Sequence, residues 1–294
     1  MRSSSSLIRI VRAGPFSTLQ DGGRRGRGHQ GVARSGAFDQ ASFRLANRLV
    51  GNHETAAVIE ILLGPFELEA HASIVVAATG TNAPLDVLEV GGQVRSGRDR
   101  AAVALRGGER LIVGSPSIGL RTYLSFRGGL LGEPTLGSCS FDSLGRIGPA
   151  PIVDGDELRV GTVSMSDPWF EPLPDRSTDD PVLLPLRLGP REDWLVGVDP
   201  AACLSCCVWT VDAASNRSGI RLSGTPLPRR PGDLASEAMV PGAVQVPPNG
   251  LPIVLGPDGG TTGGYPVVGV VPQRGIDLLA QRRPGERVRF QILR

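Results

Sequence analysis

The chain has 294 residues, 40% of them hydrophobic, and a formal net charge of +2, which allows a real core and excludes a disordered polymer or a strongly basic nucleic-acid binder. It contains no lysine, so all 31 side chains of the Lys+Arg count are arginine. That excludes a Walker-type phosphate loop, a Schiff-base lysine and covalently carried biotin within the chain. Anions must then be held by arginine forks, backbone amides or helix N-termini.

The 40 glycines and 25 prolines show neither a collagen period nor a low-complexity block, so many short strands joined by tight turns are expected. In chain order, apolar runs and alternation predict strands at 7–12, 58–63, 73–78, 101–105, 110–113 and 121–126. A helix is predicted over 39–50. Asp39 caps it, Phe38 and Phe43 staple it, Leu45, Ala46 and Leu49 share one face, and Gly51 ends it. Residues 166–185, SDPWFEPLPDRSTDDPVLLP, gather prolines and acids and read as a linker or long crossover. Further strands are predicted at 183–188, 207–212, 252–255, 267–271 and 287–292, with a short helix over 275–282 that Pro284-Gly285 stops. The expected fold is mainly β with a few short helices, in two strand-rich halves: 1–165 with the capped helix, the 166–185 linker, and 186–294.

No run reaches the roughly 18 apolar residues of a membrane span, and MRSSSSLIRIVRAG has no signal-peptide core. A cytoplasmic location is the expectation. The cysteines are Cys139 and the group Cys203, Cys206 and Cys207. Their C-x-x-C lacks a second ligand pair, so no metal site is expected, and Cys206 and Cys207 are expected to enter a buried strand.

Four polar, glycine-rich segments stand out from strand packing. The first holds Gln20, Asp21, Arg24 and His29 ahead of the capped helix and Asn47, offering donors, an acid and a reserve base near a helix N-terminus. The second runs from Arg127-Gly128-Gly129 to Ser138-Cys139-Ser140-Phe141-Asp142; its paired glycines would let backbone approach a ligand. The third places Arg217 and Arg221 four apart around a turn, either as a clamp for carboxylate or phosphate or as structural partners of acids. The fourth joins Gln245 to Asp258, Thr262 and Tyr265 through a run of glycines and threonines, a composition that suits a narrow polar pocket or a tight hairpin.

Taken in order, Gln20-Asp21-x-Gly23-Arg24, Ser35-Gly36-Ala37-x-Asp39, Ala46-Asn47-x-Leu49-Val50-Gly51-Asn52, Gly128-Gly129, Leu136-Gly137-Ser138, Asn216-Arg217-x-Gly219-x-Arg221-Leu222, Gln245-Val246-Pro247 and Thr262-Gly263-Gly264-Tyr265-Pro266 resemble the family of the 5-oxoprolinase C component. That family is also described as allophanate hydrolase subunit 2, KipA-like, or biotin-dependent carboxyltransferase domain. The resemblance spans nearly the whole chain. It departs at Cys139 and Phe141, where the family usually has arginine and threonine, and at Gly260, where it usually has glutamine.

The resemblance implies a cyclophilin-like β-barrel architecture, the barrel forming the 186–294 half. It also implies an allophanate hydrolase subunit 1 or KipI-like partner, with a third 5-oxoprolinase subunit beside them. The activity implied first is ATP-dependent opening of 5-oxoproline to glutamate, an amidohydrolase reaction of the complex on a small lactam, with ATP used by the complex. A second implied role is the carboxyltransferase step of a urea carboxylase, with biotin borne on another chain. A third is a binding protein that sequesters a KipI-like kinase inhibitor. Within this frame Arg24, Arg217 and Arg221 are expected to bind an anion or carbonyl. Gln20, Asn47, Gln245, Thr262 and Tyr265 are expected to touch substrate. Acid and base work falls to Asp21 or Asp258, with His29 in reserve.

Overall fold

The fold is that of a computed structural model describing residues 6–173, 180–232 and 234–293. It is mainly β and divides into two compact units, neither contiguous in sequence. The first takes Met1–Gly23, Asp39–Phe141 and Arg146–Asp175; the second takes Arg24–Phe38, Asp142–Gly145 and Arg176–Arg294. Two short segments of the expected first half therefore belong to the second unit. Of the expected linker, residues 174–179 lie outside the described residues.

The first unit holds two antiparallel sheets of seven and five strands. Alternation builds them in the ordinary way. In Phe66–Ala70, Phe66, Leu68 and Ala70 enter the core while Glu67 and Glu69 face outward, where both meet Arg110. Ile8, Ile10 and Leu111 of this sheet share one core with Ile59, Ile61, Val76 and Leu124 of the other. Strand Arg121–Phe126 is buried along its whole length because helix Gln40–Leu49 covers its second face. Its polar side chains are accordingly paired: Thr122 with Thr81 at 2.6 Å, and Ser125 with the Asn47 Oδ1 at 2.7 Å.

The helix starts where its cap predicts, with Asp39 accepting from the Ser42 backbone N–H at 2.9 Å and from its hydroxyl at 2.6 Å. Gly51 follows at φ 74. Phe38, just before the cap, is part of the second unit's core.

The second unit is a closed seven-stranded barrel in the order Val182–Leu188, Val267–Val270, Ala243–Gln245, Ile253–Leu255, Gly219–Ser223, Val208–Val211 and Arg287–Ile292. One parallel pairing, Val182 against Val288 through Leu186 against Ile292, closes it. Leu184, Leu186, Trp209, Ile220, Leu222, Val244, Val268 and Phe290 fill the interior, and helix Gln273–Ala280 adds Ile276 and Leu279. No helix among the described residues is long and apolar enough to cross a membrane.

The cysteine group corrects the sequence reading. Cys206 is exposed and ends helix Pro200–Cys206, Cys207 caps that helix, and the strand begins only at Val208. Asp199 accepts from the Ala201 N–H and Pro200 opens the first turn, a start signal that outweighed the apolar run. Burial raises the Cys203 thiol; burial, then the Cys206 thiol 3.8 Å away, pushes Cys207 up to about 11. Alkylation of Cys207 by iodoacetamide is therefore expected to be slow at neutral pH and to accelerate as pH approaches that value, which mass spectrometry of pH-stepped labelling would read.

Candidate functional site: an arginine-lined cleft

The barrel unit carries a buried latch that fixes one wall of a cleft. Arg217 donates from Nε to the Asp258 Oδ2 at 2.8 Å and from Nη2 to the Oδ1 at 2.9 Å. The Ser143 N–H and hydroxyl give Asp258 two more hydrogen bonds, at 2.9 and 2.7 Å. Arg217 also donates to the Gly36 carbonyl at 2.7 Å, and the Ser35 N–H reaches the Pro257 carbonyl at 2.8 Å. Burial alone would raise the Asp258 carboxyl, yet Arg217 and Ser143 outweigh it and hold it below the usual carboxylate range.

Between the latch and a loop over residues 24–34 lies a cavity of about 290 Å³. The Arg24 N–H bonds to the Arg34 carbonyl at 2.6 Å and pins the loop ends, while Gly26 and Gly31 turn it at φ 75 and 74. Arg24, Arg25, Arg27 and Arg34 line the cavity on the loop side. Opposite are Met239, Val240, Pro241, Leu255, Pro257 and the bare backbone of Gly259 and Gly260. No carboxylate lines the cavity among the described residues. Gly260 leaves backbone where the family resemblance leads to an expectation of glutamine.

A second, larger cavity of about 570 Å³ lies elsewhere on the barrel unit, lined by Asp212, Arg221, Ser223, Pro247, Asn249 and Tyr265 among others. Asp212 is held below the usual range by the Ala214 N–H and the Ser223 hydroxyl. Arg217 and Arg221 do not form a clamp, since the first is locked in the latch and the second lines this other cavity.

The expected site residues thus separate. Arg24 lines the cleft, and Asp258 stands behind it with its carboxylate occupied. Gln245 is buried and donates to the Met239 sulfur at 3.4 Å, steadying a cleft side chain. His29 is exposed on the three-residue turn Gly28–Gln30, and Thr262 is exposed on a short strand paired with Glu237–Ala238. Arg221 and Tyr265 share the larger cavity.

Three expected site residues lie in the first unit. Asp21 accepts from the Gly23 and Cys139 N–H groups and from the Ser138 and Ser140 hydroxyls. Gln20 is buried and donates to Thr18 and the Phe141 carbonyl. Asn47 is buried, accepting from Ser125 and Asn52 and donating to the Ala56 carbonyl. The departures at Cys139 and Phe141 sit in the same interior, where Phe141 packs edge-on to Phe16 at 6.3 Å. Sequence reasoning missed Arg25, Arg27, Arg34 and Met239; the run Arg24-Arg25-Gly26-Arg27-Gly28 was the available signal for the first two. Among the described residues no cluster of three or more histidine, cysteine or acidic side chains is placed to hold a metal ion.

Comparison with known proteins gives a consistent answer. The family model for the carboxyltransferase domain, subdomains A and B, matches residues 30–292. The chain is 35% identical to the C component of the Escherichia coli 5-oxoprolinase over 97% of this chain and 90% of the relative. It is similar to the crystal structure of TTHA0988, with a TM-score of 0.84 and 34% identity, spanning 99% of this chain but only 57% of that one. It is also similar to the urea amidolyase of K. lactis, with a TM-score of 0.88 and 27% identity over 100% of this chain and 19% of that one.

Proposed function

The chain belongs to the carboxyltransferase-domain family, subdomains A and B, and on that premise we propose that it is a subunit of an ATP-dependent 5-oxoprolinase-type enzyme. It works with an allophanate hydrolase subunit 1 or KipI-like subunit and a third subunit, and the complex opens the lactam to glutamate. The observation that carries this reading is the 35% identity to a 5-oxoprolinase C component across 97% of the chain. In this reading the closed barrel is the cyclophilin-like unit.

Opening a lactam places negative charge on the carbonyl oxygen, and fixed donors aimed at that oxygen lower the barrier. Arginine guanidiniums and glycine N–H groups of the cleft are donors of that kind. The carboxylates of Asp21 and Asp258 serve as anchors, because their lone pairs are taken up by neighbouring donors. ATP is used by the complex and its phosphates are assigned to a partner, since a chain without lysine has no Walker-type loop.

A second reading, carboxyl transfer from biotin borne on another chain, draws on the TM-score of 0.88 with a urea amidolyase. Co-expression with the partner subunits, followed by assay of ADP and glutamate from 5-oxoproline with and without avidin, separates the two. Turnover unaffected by avidin is expected. Avidin-blocked carboxylation of urea would favour the second reading, and a tight heteromer with no turnover would favour sequestration of a KipI-like inhibitor.

A further inference from the structure

We propose that Cys206 and Cys207 form a thiol–disulfide exchange site that takes a low-molecular-weight disulfide such as glutathione disulfide, with Cys206 the thiol that is modified and Cys207 the thiol that resolves the adduct. The pair lies at the end of helix Pro200–Cys206, and the proposal does not depend on the 5-oxoprolinase reading.

Exposure decides which sulfur meets the oxidant. Cys206 is exposed, whereas Cys203 and Cys207 are partly buried and pack against the barrel core. Proximity decides which sulfur answers. The Cys206 and Cys207 Sγ atoms are 3.8 Å apart, while Cys206 meets Cys203 at its backbone, donating to the carbonyl at 3.3 Å. Cys207 has also left the helical backbone, with φ −79 and ψ 137, so drawing these two sulfurs together bends a junction between helix and strand. Cys203 sits inside the helix, whose last turn is tied to the neighbouring strand by Arg289 donating to the Ser205 carbonyl at 2.8 Å.

The exchange balances in two steps. The Cys206 thiolate attacks one sulfur of glutathione disulfide, forming a mixed disulfide and releasing one glutathione thiolate. The Cys207 thiolate then attacks the Cys206 Sγ, forming the Cys206–Cys207 bond and releasing the second glutathione. Two electrons pass from the cysteines to the oxidant, and the two protons they lose end on the two glutathione thiols. Burial holds down the Cys207 thiolate at neutral pH, so the second step is the slower one and the adduct precedes the bond. Adjacent Cα atoms stand about 3.8 Å apart, below the roughly 4.4–6.8 Å of relaxed disulfides, so the closed pair is readily reduced again.

The test treats the reduced full chain with excess glutathione disulfide at neutral pH, quenches samples in acid over time, and maps the cysteines by tandem mass spectrometry. A glutathione adduct on Cys206 is expected first, followed by its conversion to a Cys206–Cys207 bond, and reduced glutathione is expected to restore both thiols. Cys139, half-buried against the core of the first unit, is the internal control and is expected to stay unmodified. Cys207→Ser is expected to stop at the adduct, Cys206→Ser to lose both products, and Cys203→Ser to keep both. The proposal is overturned by an adduct that forms first on Cys203 or Cys207, by one that never closes, or by closure between Cys203 and Cys206. It is equally overturned by no reaction at Cys206, by modification of Cys139 at the same rate, or by a bond that reduced glutathione leaves intact. The wild-type time course decides each of these, so a variant that fails to fold does not shield the proposal.

Discussion

Replacing Asp258 by alanine is expected to destabilise the barrel unit by about 3–5 kcal/mol, because it leaves the buried Arg217 guanidinium without its counter-charge. Asp258 is fully buried and Arg217 is 5% exposed, so water does not replace the lost carboxylate. The same change orphans the Ser143 donors and loosens Gly256, Pro257 and Gly259 of the cleft wall. A double variant with Arg217→Met and Asp258→Leu is expected to cost less than the sum of the two single changes, since it removes both charges together. Urea denaturation of the four proteins would show this. The sign of the pH dependence follows from the depressed carboxyl of folded Asp258. Its contribution is fully present above the unfolded value of about 3.9 and is lost as pH falls below that value through the folded one. Wild type is therefore expected to lose stability in that acid window, and Asp258→Ala to lose less.

Gly128→Ala is expected to cost about 3 kcal/mol or more, since it combines an unfavourable left-handed backbone with a clash. Gly128 has φ 96, and a Cβ there would lie 1.9 Å from the Gly161 carbonyl oxygen and 2.4 Å from its carbon, both backbone atoms that cannot swing aside. The glycine pair read from sequence as an approach to ligand is instead a close crossing of two backbones. It is held by the Gly128 N–H donating to Asn52 and the Gly161 N–H donating to the Gly129 carbonyl. Gly137→Ala is the matched control: φ is 85, but nothing lies within 4 Å of the added carbon, so only the backbone term of about 1 kcal/mol remains. Thermal unfolding of both variants separates conformation from contact. Equal losses would contradict the crossing.

What was legible in the sequence follows the range of the interactions. Strands such as Arg110–Val113 and Arg121–Phe126, and the helix capped by Asp39, are written in local apolar patterns and turn chemistry. Strand Val94–Gly97, sequence VRSG, buries none of its side chains, so no apolar alternation marks it. The latch was not legible, because Ser143 and Asp258 stand 115 positions apart and Arg217 and Asp258 stand 41 apart. No local pattern reports such pairings. For the same reason Asp21 and Asn47, polar residues in a glycine-rich or helical setting, read equally as site or scaffold until their partners are known. In the fold Asp21 ties down the 138–140 segment and Asn47 ties the helix to strand Arg121–Phe126. Arg24, Arg25, Arg27 and Arg34 gather around one cavity because the Arg24–Arg34 backbone bond closes their loop.

The most direct measurement of the proposed role is an omission assay: ATP-dependent glutamate formation from 5-oxoproline by the purified partner subunits, with this chain withheld and then restored. Turnover that is absent without the chain and returns in proportion to its addition, with ADP and glutamate released together, is the predicted result. Partner subunits that turn over equally well without it would contradict its place in a 5-oxoprolinase.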